Sequence, residues 1–124
     1  MKVLIADDQE EVRSALMLLL EHNGDAYEID GAGSLDELMK KAGSERYDIL
    51  LLDWELTSNM NISMIKKLRK LSPGLGIIAM SVHLEAAASA LKNGADMFIS
   101  KGENSDRLIE AIHAVGKRTG HQAR

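Results

Sequence analysis

Cysteine is absent from this chain, which excludes disulfide staples and thiolate-bound metals and suits a reducing compartment. Any metal must therefore sit on oxygen or on histidine. No run of residues comes near the roughly 20 apolar side chains that a membrane helix needs. The start, Met1-Lys2-Val3-Leu4-Ile5, meets acid by Asp7 and lacks the apolar length and small-residue cleavage site of a secretory signal. A soluble, cytoplasmic protein without membrane contact is the expectation. Clustered positive charge is scarce as well. The formal net charge is −4, and the one basic group, Lys66, Lys67, Arg69 and Lys70, has the spacing of a solvated helix face. Direct binding to nucleic acid, which depends on neutralising phosphates with clustered Lys and Arg, is not expected. Internal repeats and low-complexity segments are missing too. A length of 124 residues suits one domain with a hydrophobic core of its own and no second domain.

What the chain does have is four short apolar runs, each ending in a polar residue. Val3-Leu4-Ile5-Ala6 runs into Asp7-Asp8, Ile49-Leu50-Leu51-Leu52 into Asp53, Ile77-Ile78-Ala79-Met80 into Ser81, and Met97-Phe98-Ile99-Ser100 into Lys101. If the runs are parallel strands, all five polar groups meet at the carboxyl edge of a sheet, where open α/β folds bind ligands. Three carboxylates, a hydroxyl and an ammonium gathered there make a site for a divalent cation and a phosphoryl group. Adjacent carboxylates at Asp7 and Asp8 repel each other unless a cation lies between them. Mg²⁺ is the natural choice, because it is typically held by one or two carboxylates together with phosphate oxygens and water. Asp53 closes that site from another strand and is the expected nucleophile, forming an aspartyl-phosphate. Lys101 suits a phosphoryl oxygen and can pair with Asp53 in its absence, while Ser81 can donate a hydrogen bond to a second oxygen.

Between the runs, the apolar spacing is helical. Val12, Leu16, Leu19 and Leu20 mark a first helix, stopped at Asn23-Gly24. Ala26 to Ile29 is a weak second strand, and Ser34-Leu35-Asp36-Glu37 has the form of a capping box opening a helix to about Ala42, ended by Gly43. Tyr47 to Leu52 has the near-continuous apolar character of a central parallel strand. Ile62, Ile65, Leu68 and Leu71 mark a third helix, stopped by Ser72-Pro73-Gly74 before a strand at Leu75 to Met80. Alanine-rich Glu85 to Lys92 is a helix that packs weakly and closes at Asn93-Gly94. Leu108, Ile109, Ile112 and Val115 give a final amphipathic helix, and Gly116 to Arg124 reads as a frayed basic end. Five β-then-α units imply an α/β fold, a doubly wound five-stranded parallel sheet with right-handed crossovers.

VLIADDQEEVR at the start, LLLDWEL around Asp53, AMSVH around Ser81 and GADMFISKG around Lys101 together resemble the receiver domain of bacterial two-component response regulators, in its order and spacing. The resemblance covers essentially the whole chain. It is strongest to the subfamily that usually carries a C-terminal helix-turn-helix domain, which is not expected here. It implies a flavodoxin-like (βα)5 fold with strand order 2-1-3-4-5, a receiver domain over 1–118 and a frayed tail over 119–124. It also implies that Asp53 accepts phosphate from a sensor histidine kinase or phosphotransfer protein. Asp8, Asp53 and the backbone carbonyl of Glu55 would ligate Mg²⁺, with Asp7 holding a metal-bound water. Ser81 and Lys101 would engage the phosphoryl group, and Phe98 would be the aromatic that rotates inward as Ser81 moves. By the same analogy the signal leaves through a protein surface on the fourth helix, fifth strand and fifth helix, which allows a homodimer. Self-phosphorylation and autodephosphorylation are expected in place of conventional enzymatic turnover.

The chain also departs from the family. Thr57 stands where Pro is frequent, Asn61 where Gly is, Gly102 where Pro is, and Val82 is bulkier than the usual small residue. Without proline, a cis peptide after Lys101 would cost roughly 2.5–4 kcal/mol and is not assumed. Glu55 and His83 occupy positions where the family tunes dephosphorylation by water. Three rival readings compete. Asp53-Trp54-Glu55-Leu56-Thr57 resembles the nucleophile loop of haloacid-dehalogenase-type phosphatases, but with Glu for the second Asp and on the wrong strand. A flavodoxin-like cofactor binder would have its flavin phosphate repelled by Asp7-Asp8. A degenerate receiver would keep the fold as a protein-binding module only. Other features read as bland. His22, His83, His113 and His121 have no metal-ligand spacing, Asn61-Ile62-Ser63 is an idle glycosylation match, Trp54 caps a core edge, and Gly31-Ala32-Gly33 is no dinucleotide loop.

Overall fold

Successive side chains of a strand point to opposite faces of its sheet, so an unbroken apolar run is stable only where both faces are covered. The computed structural model, which describes residues 1–23, 27–57 and 63–118, shows that arrangement. Strands β1 (Lys2–Ala6), β2 (Glu28–Ala32), β3 (Ile49–Asp53), β4 (Gly76–Ser81) and β5 (Met97–Ser100) alternate with helices α1 (Glu10–His22), α2 (Leu35–Ser44), α3 (Ser63–Leu71), α4 (Ala86–Lys92) and α5 (Ser105–Arg118). All strand pairs are parallel, in the order β2-β1-β3-β4-β5. Every residue of β3 and β4 is buried.

Two apolar cores follow from the alternation. Leu4, Leu50, Leu52, Ile77 and Ala79 face Leu38 and Ala42 of α2, Ile65 and Leu68 of α3, and Ala90 of α4. Val3, Ile5, Ile49, Leu51, Ile78 and Ile99 face Leu20 of α1 and Leu108, Ala111, Ile112 and Val115 of α5. Trp54 and Phe98 are half-buried against the first core, so Trp54 does cap a core edge.

The element boundaries differ from the sequence expectation by a residue in β4 and α4 and more visibly in β2, α2, β3 and α5. Strand β2 starts later than Ala26 and runs through Gly31-Ala32, because ladder pairing of Gly31 with Ile5 and Ala32 with Ala6 outweighs poor strand propensity. Ala26 itself lies outside the described residues. Helix α2 passes through Gly43 and ends with Glu45 N–H bonded to the Lys41 carbonyl. A helical glycine costs about 0.5–1 kcal/mol, less than the burial of the neighbouring Ala42 and Leu38 returns. Strand β3 begins at Ile49 and includes Asp53 itself. Helix α5 continues through Gly116 to Arg118, anchored by fully buried Val115, while residues 119–124 lie outside the described set.

Local signals that behave as expected include the N-cap of α2, where Ser34 Oγ accepts from Glu37 N–H at 3.2 Å and Glu37 Oε1 accepts from Gly33 N–H at 2.7 Å. Gly94, after α4, has φ +112°, a conformation open to glycine alone at little cost, and a Cβ there would sit 2.9 Å from Ile65 Cγ2. The basic cluster on α3 is mostly solvated, with Lys66, Lys67 and Lys70 exposed. Arg69 is the exception: it donates to the carbonyls of Leu75 and Gly94 and pairs with Asp96 at 2.9 Å. No described helix is long and apolar enough to cross a membrane.

Candidate functional site

Parallel pairing places the ends of β1, β3 and β4 side by side, with Ala6 opposite Leu52 and Asp53 opposite Met80. The residues that follow those ends therefore converge. Asp7 is 2% exposed and Asp53 5%, whereas Asp8 is exposed. One carboxylate oxygen from each of the three lies within 4.8 Å of the others, the sole such acidic or histidine grouping among the described residues. His22, His83 and His113 are exposed and join no such group, while His121 and Asn61-Ile62 lie outside the described residues.

Lys101 reaches this cluster from beyond β5. Its Nζ is 2.9 Å from Asp7 Oδ2 and 3.2 Å from Asp53 Oδ1, and its backbone N–H donates to the Ser81 carbonyl at 2.9 Å. Burial lowers the Lys101 pKa, but the hydrogen bond to Asp7 and the charges of Asp53 and Asp7 outweigh that and hold it above the ordinary lysine range. Burial is the main influence on Asp53 and raises its pKa; Lys101 opposes the rise and Asp7 adds to it. The site therefore carries more negative charge than one ammonium balances.

The acidic side chains are fixed by their own backbone. Asp7 Oδ1 accepts from Gln9 N–H at 2.9 Å and Asp53 Oδ1 from Glu55 N–H at 3.1 Å, each two residues on, the local bond that Asp favours at turns. Among the described residues, the contacts of the Asp53 carboxylate with Glu55 N–H and Lys101 Nζ both fall on Oδ1. The short 3₁₀ turn Trp54–Thr57 is closed by Thr57 Oγ1 donating to the Trp54 carbonyl at 2.6 Å, so the Thr found here in place of the family's frequent Pro is built into the turn. A cleft of about 660 Å³ opens beside the cluster, and its lining combines Asp8, Asp53, Glu55 and Lys101 with apolar Val12, Ala15, Leu16 and Val82.

Two contributors escaped the sequence reading in part or whole. Arg13 Nη1 donates to the Asp7 backbone carbonyl at 2.7 Å, bracing the acidic turn from α1. The Glu55 side chain, expected to bear only on dephosphorylation by water, accepts a hydrogen bond from Ser81 Oγ at 2.7 Å. Ser81, fully buried, also accepts from His83 N–H at 2.9 Å. Phe98 sits on β5 opposite Ala79, one strand from Ser81. Every described peptide bond is trans.

Three carboxylates on neighbouring strand ends form a hard oxygen donor set of the kind Mg²⁺ takes, and their excess negative charge is what a divalent cation would balance. Comparison with known proteins agrees. A family model described as response regulator receiver domain matches residues 3–113. A sensory transduction protein LytR from Staphylococcus epidermidis is 30% identical over 115 residues, which are 93% of this chain and 46% of that protein; the chain thus spans about half the length of such relatives. The response regulator TrrA from Thermotoga maritima, solved with Mg²⁺ and beryllofluoride, superposes with TM-score 0.79 at 28% identity, covering 92% of this chain and 97% of that one. A response regulator from Burkholderia pseudomallei, solved with a phosphorylated aspartic acid and a calcium ion, superposes with TM-score 0.77 at 27% identity, covering 98% of this chain and 72% of that one.

Proposed function

Since the chain belongs to the response regulator receiver domain family, whose signalling depends on phosphorylation, we propose that it is a switch that takes a phosphoryl group onto Asp53 from a sensor histidine kinase or phosphotransfer protein. The observation that carries this reading is the Lys101 ammonium held between Asp7 and Asp53, three residues from three strands meeting at one point.

Asp8, Asp53 and the Glu55 carbonyl would hold Mg²⁺, with Asp7 orienting a bound water. The ion, when bound, supplies neutralisation of the charge that develops on the transferring group. The rest falls to the chain. Asp53 Oδ1 is held by two donors, which leaves Oδ2 as the oxygen placed to attack phosphorus. The new bond is an acyl phosphate. The bond to the donor's imidazole nitrogen breaks, and its electron pair leaves with the imidazole. Lys101 has a third N–H to offer a phosphoryl oxygen once its two carboxylate bonds rearrange, and Ser81 has its hydroxyl. Capture of the phosphoryl oxygens by these two groups biases a two-state packing that includes Phe98. The output surface is assigned to α4, β5 and α5, where Leu91 is exposed and Leu84 is exposed just before α4, with dimerisation open there and the cytoplasm as the setting.

Acetyl phosphate with Mg²⁺ should add one phosphoryl mass to the wild-type chain and none to Asp53→Asn. Absence of the adduct in both, together with unchanged Trp54 emission on adding Mg²⁺ and beryllofluoride, would return the chain to the degenerate-module reading. Turnover of a generic phosphate monoester would favour the phosphatase.

A further inference from the structure

A serine hydroxyl has one proton to donate. In this structure that proton is spent: Ser81 Oγ, fully buried, donates to Glu55 Oε2 at 2.7 Å while its lone pair takes the His83 N–H at 2.9 Å. The hydroxyl that would grip a phosphoryl oxygen is therefore already satisfied on both sides. Its acceptor is a carboxylate, which makes the bond charge-assisted and stronger than a neutral one. Glu55 itself is anchored close by, because its own N–H is bonded to Asp53 Oδ1 at 3.1 Å. One short turn thus ties the expected phosphoacceptor and the switch hydroxyl together.

We propose that the Glu55 side chain is a positioning residue that holds Ser81 in the unphosphorylated arrangement and competes with the phosphoryl group for its proton. The proposal rests on the phosphoacceptor reading of Asp53. On phosphorylation the Ser81 bond passes from the Glu55 carboxylate to a phosphoryl oxygen, and the exposed Glu55 side chain returns to solvent in the cleft it lines. The exchange is one donor for one donor, so the strength of the Glu55 bond is subtracted directly from the affinity of the site for phosphoryl-like anions. The chain is consequently set towards its inactive arrangement by a residue that the acceptor turn itself supplies.

The test is a double-mutant cycle between Glu55 and Ser81, read as beryllofluoride affinity at saturating Mg²⁺ by Trp54 emission. Glu55→Ala should bind beryllofluoride about tenfold more tightly than wild type, in keeping with the worth of a hydrogen bond to a charged group. Glu55→Gln, which keeps an acceptor oxygen without the charge, should fall between them. In a Ser81→Ala background the same Glu55→Ala change should alter affinity by less than about twofold, because nothing is left for the carboxylate to hold. An equal gain in both backgrounds would mean that Glu55 acts on the anion by charge alone and would overturn the proposal, as would unchanged or weakened binding by Glu55→Ala. If wild type fails to bind beryllofluoride and Asp53→Asn behaves identically, the phosphoacceptor reading falls and takes the Glu55 role with it.

Discussion

At the scale of single residues, the site shows what can and cannot be read from a chain. Asp7, Asp53, Ser81 and Lys101 were legible because each terminates an apolar run, and strand ends in a parallel sheet converge by geometry alone. The bond between Ser81 and Glu55 was not, because it joins residues 26 apart through side-chain orientations that no local pattern specifies. Asp53 illustrates the energetic side. Burial, only partly offset by Lys101, raises its pKa, so its ionised form opposes folding. With the folded pKa above the unfolded one, the stability linked to this group is full at acid pH and is lost as pH rises through the folded value. Asp53→Asn keeps the acceptor oxygen for Glu55 N–H and Lys101 and removes the charge. Without divalent cations it should melt a few degrees above wild type at pH 7.5, and the gap should narrow towards pH 4 in calorimetry at matched ionic strength.

Among the elements, the strongly patterned ones were legible and the edge strand was not. Strands β3 and β4, buried on both faces, announce themselves by unbroken apolar runs. Strand β2 has one ladder partner, a glycine and half-buried positions, so only its pairing with β1 fixes its limits. Helix ends divided similarly. The Ser34 cap was visible in four letters, whereas the passage of α2 through Gly43 depends on the core that Ala42 and Leu38 enter. The turn after α4 is a clean case of backbone demand. Gly94→Ala forces a side chain into a left-handed conformation that costs roughly 1–2 kcal/mol and pushes it against Ile65. Urea unfolding should show a loss of at least about 1 kcal/mol, with the slope of the transition unchanged.

For the whole molecule, the order β2-β1-β3-β4-β5 followed from five β-then-α units and the family resemblance, while the acidic cluster needs the ends of β1 and β3 side by side and so belongs to the assembled fold. Mg²⁺ should bind only the folded chain and stabilise it by mass action, about 2.7 kcal/mol at a hundredfold excess over Kd. Asp8→Ala, which removes an exposed carboxylate, should abolish most of that rise in a melt with and without Mg²⁺. At the opposite edge of the sheet Tyr47, 2% exposed, donates to Asp30 Oδ2 at 2.7 Å. Burial first, and the Asp30 carboxylate second, push its pKa far up. An unfolded tyrosine titrates near 10, so this contribution is intact below about pH 10 and is lost as pH climbs beyond it. Melting temperature should fall more steeply between pH 9 and 11 in wild type than in Tyr47→Phe. Lys101 joins these scales, because it follows the short outermost strand β5, its backbone bonds to Ser81 of β4, and its tip meets Asp53 of β3 and Asp7 beside β1. It is a tether slung across three neighbours, fastened to the least anchored member of the sheet. Dislodging its tip at the middle should slacken or draw in the rim, so that an oxygen-sized chemical change becomes audible at the far side of the molecule.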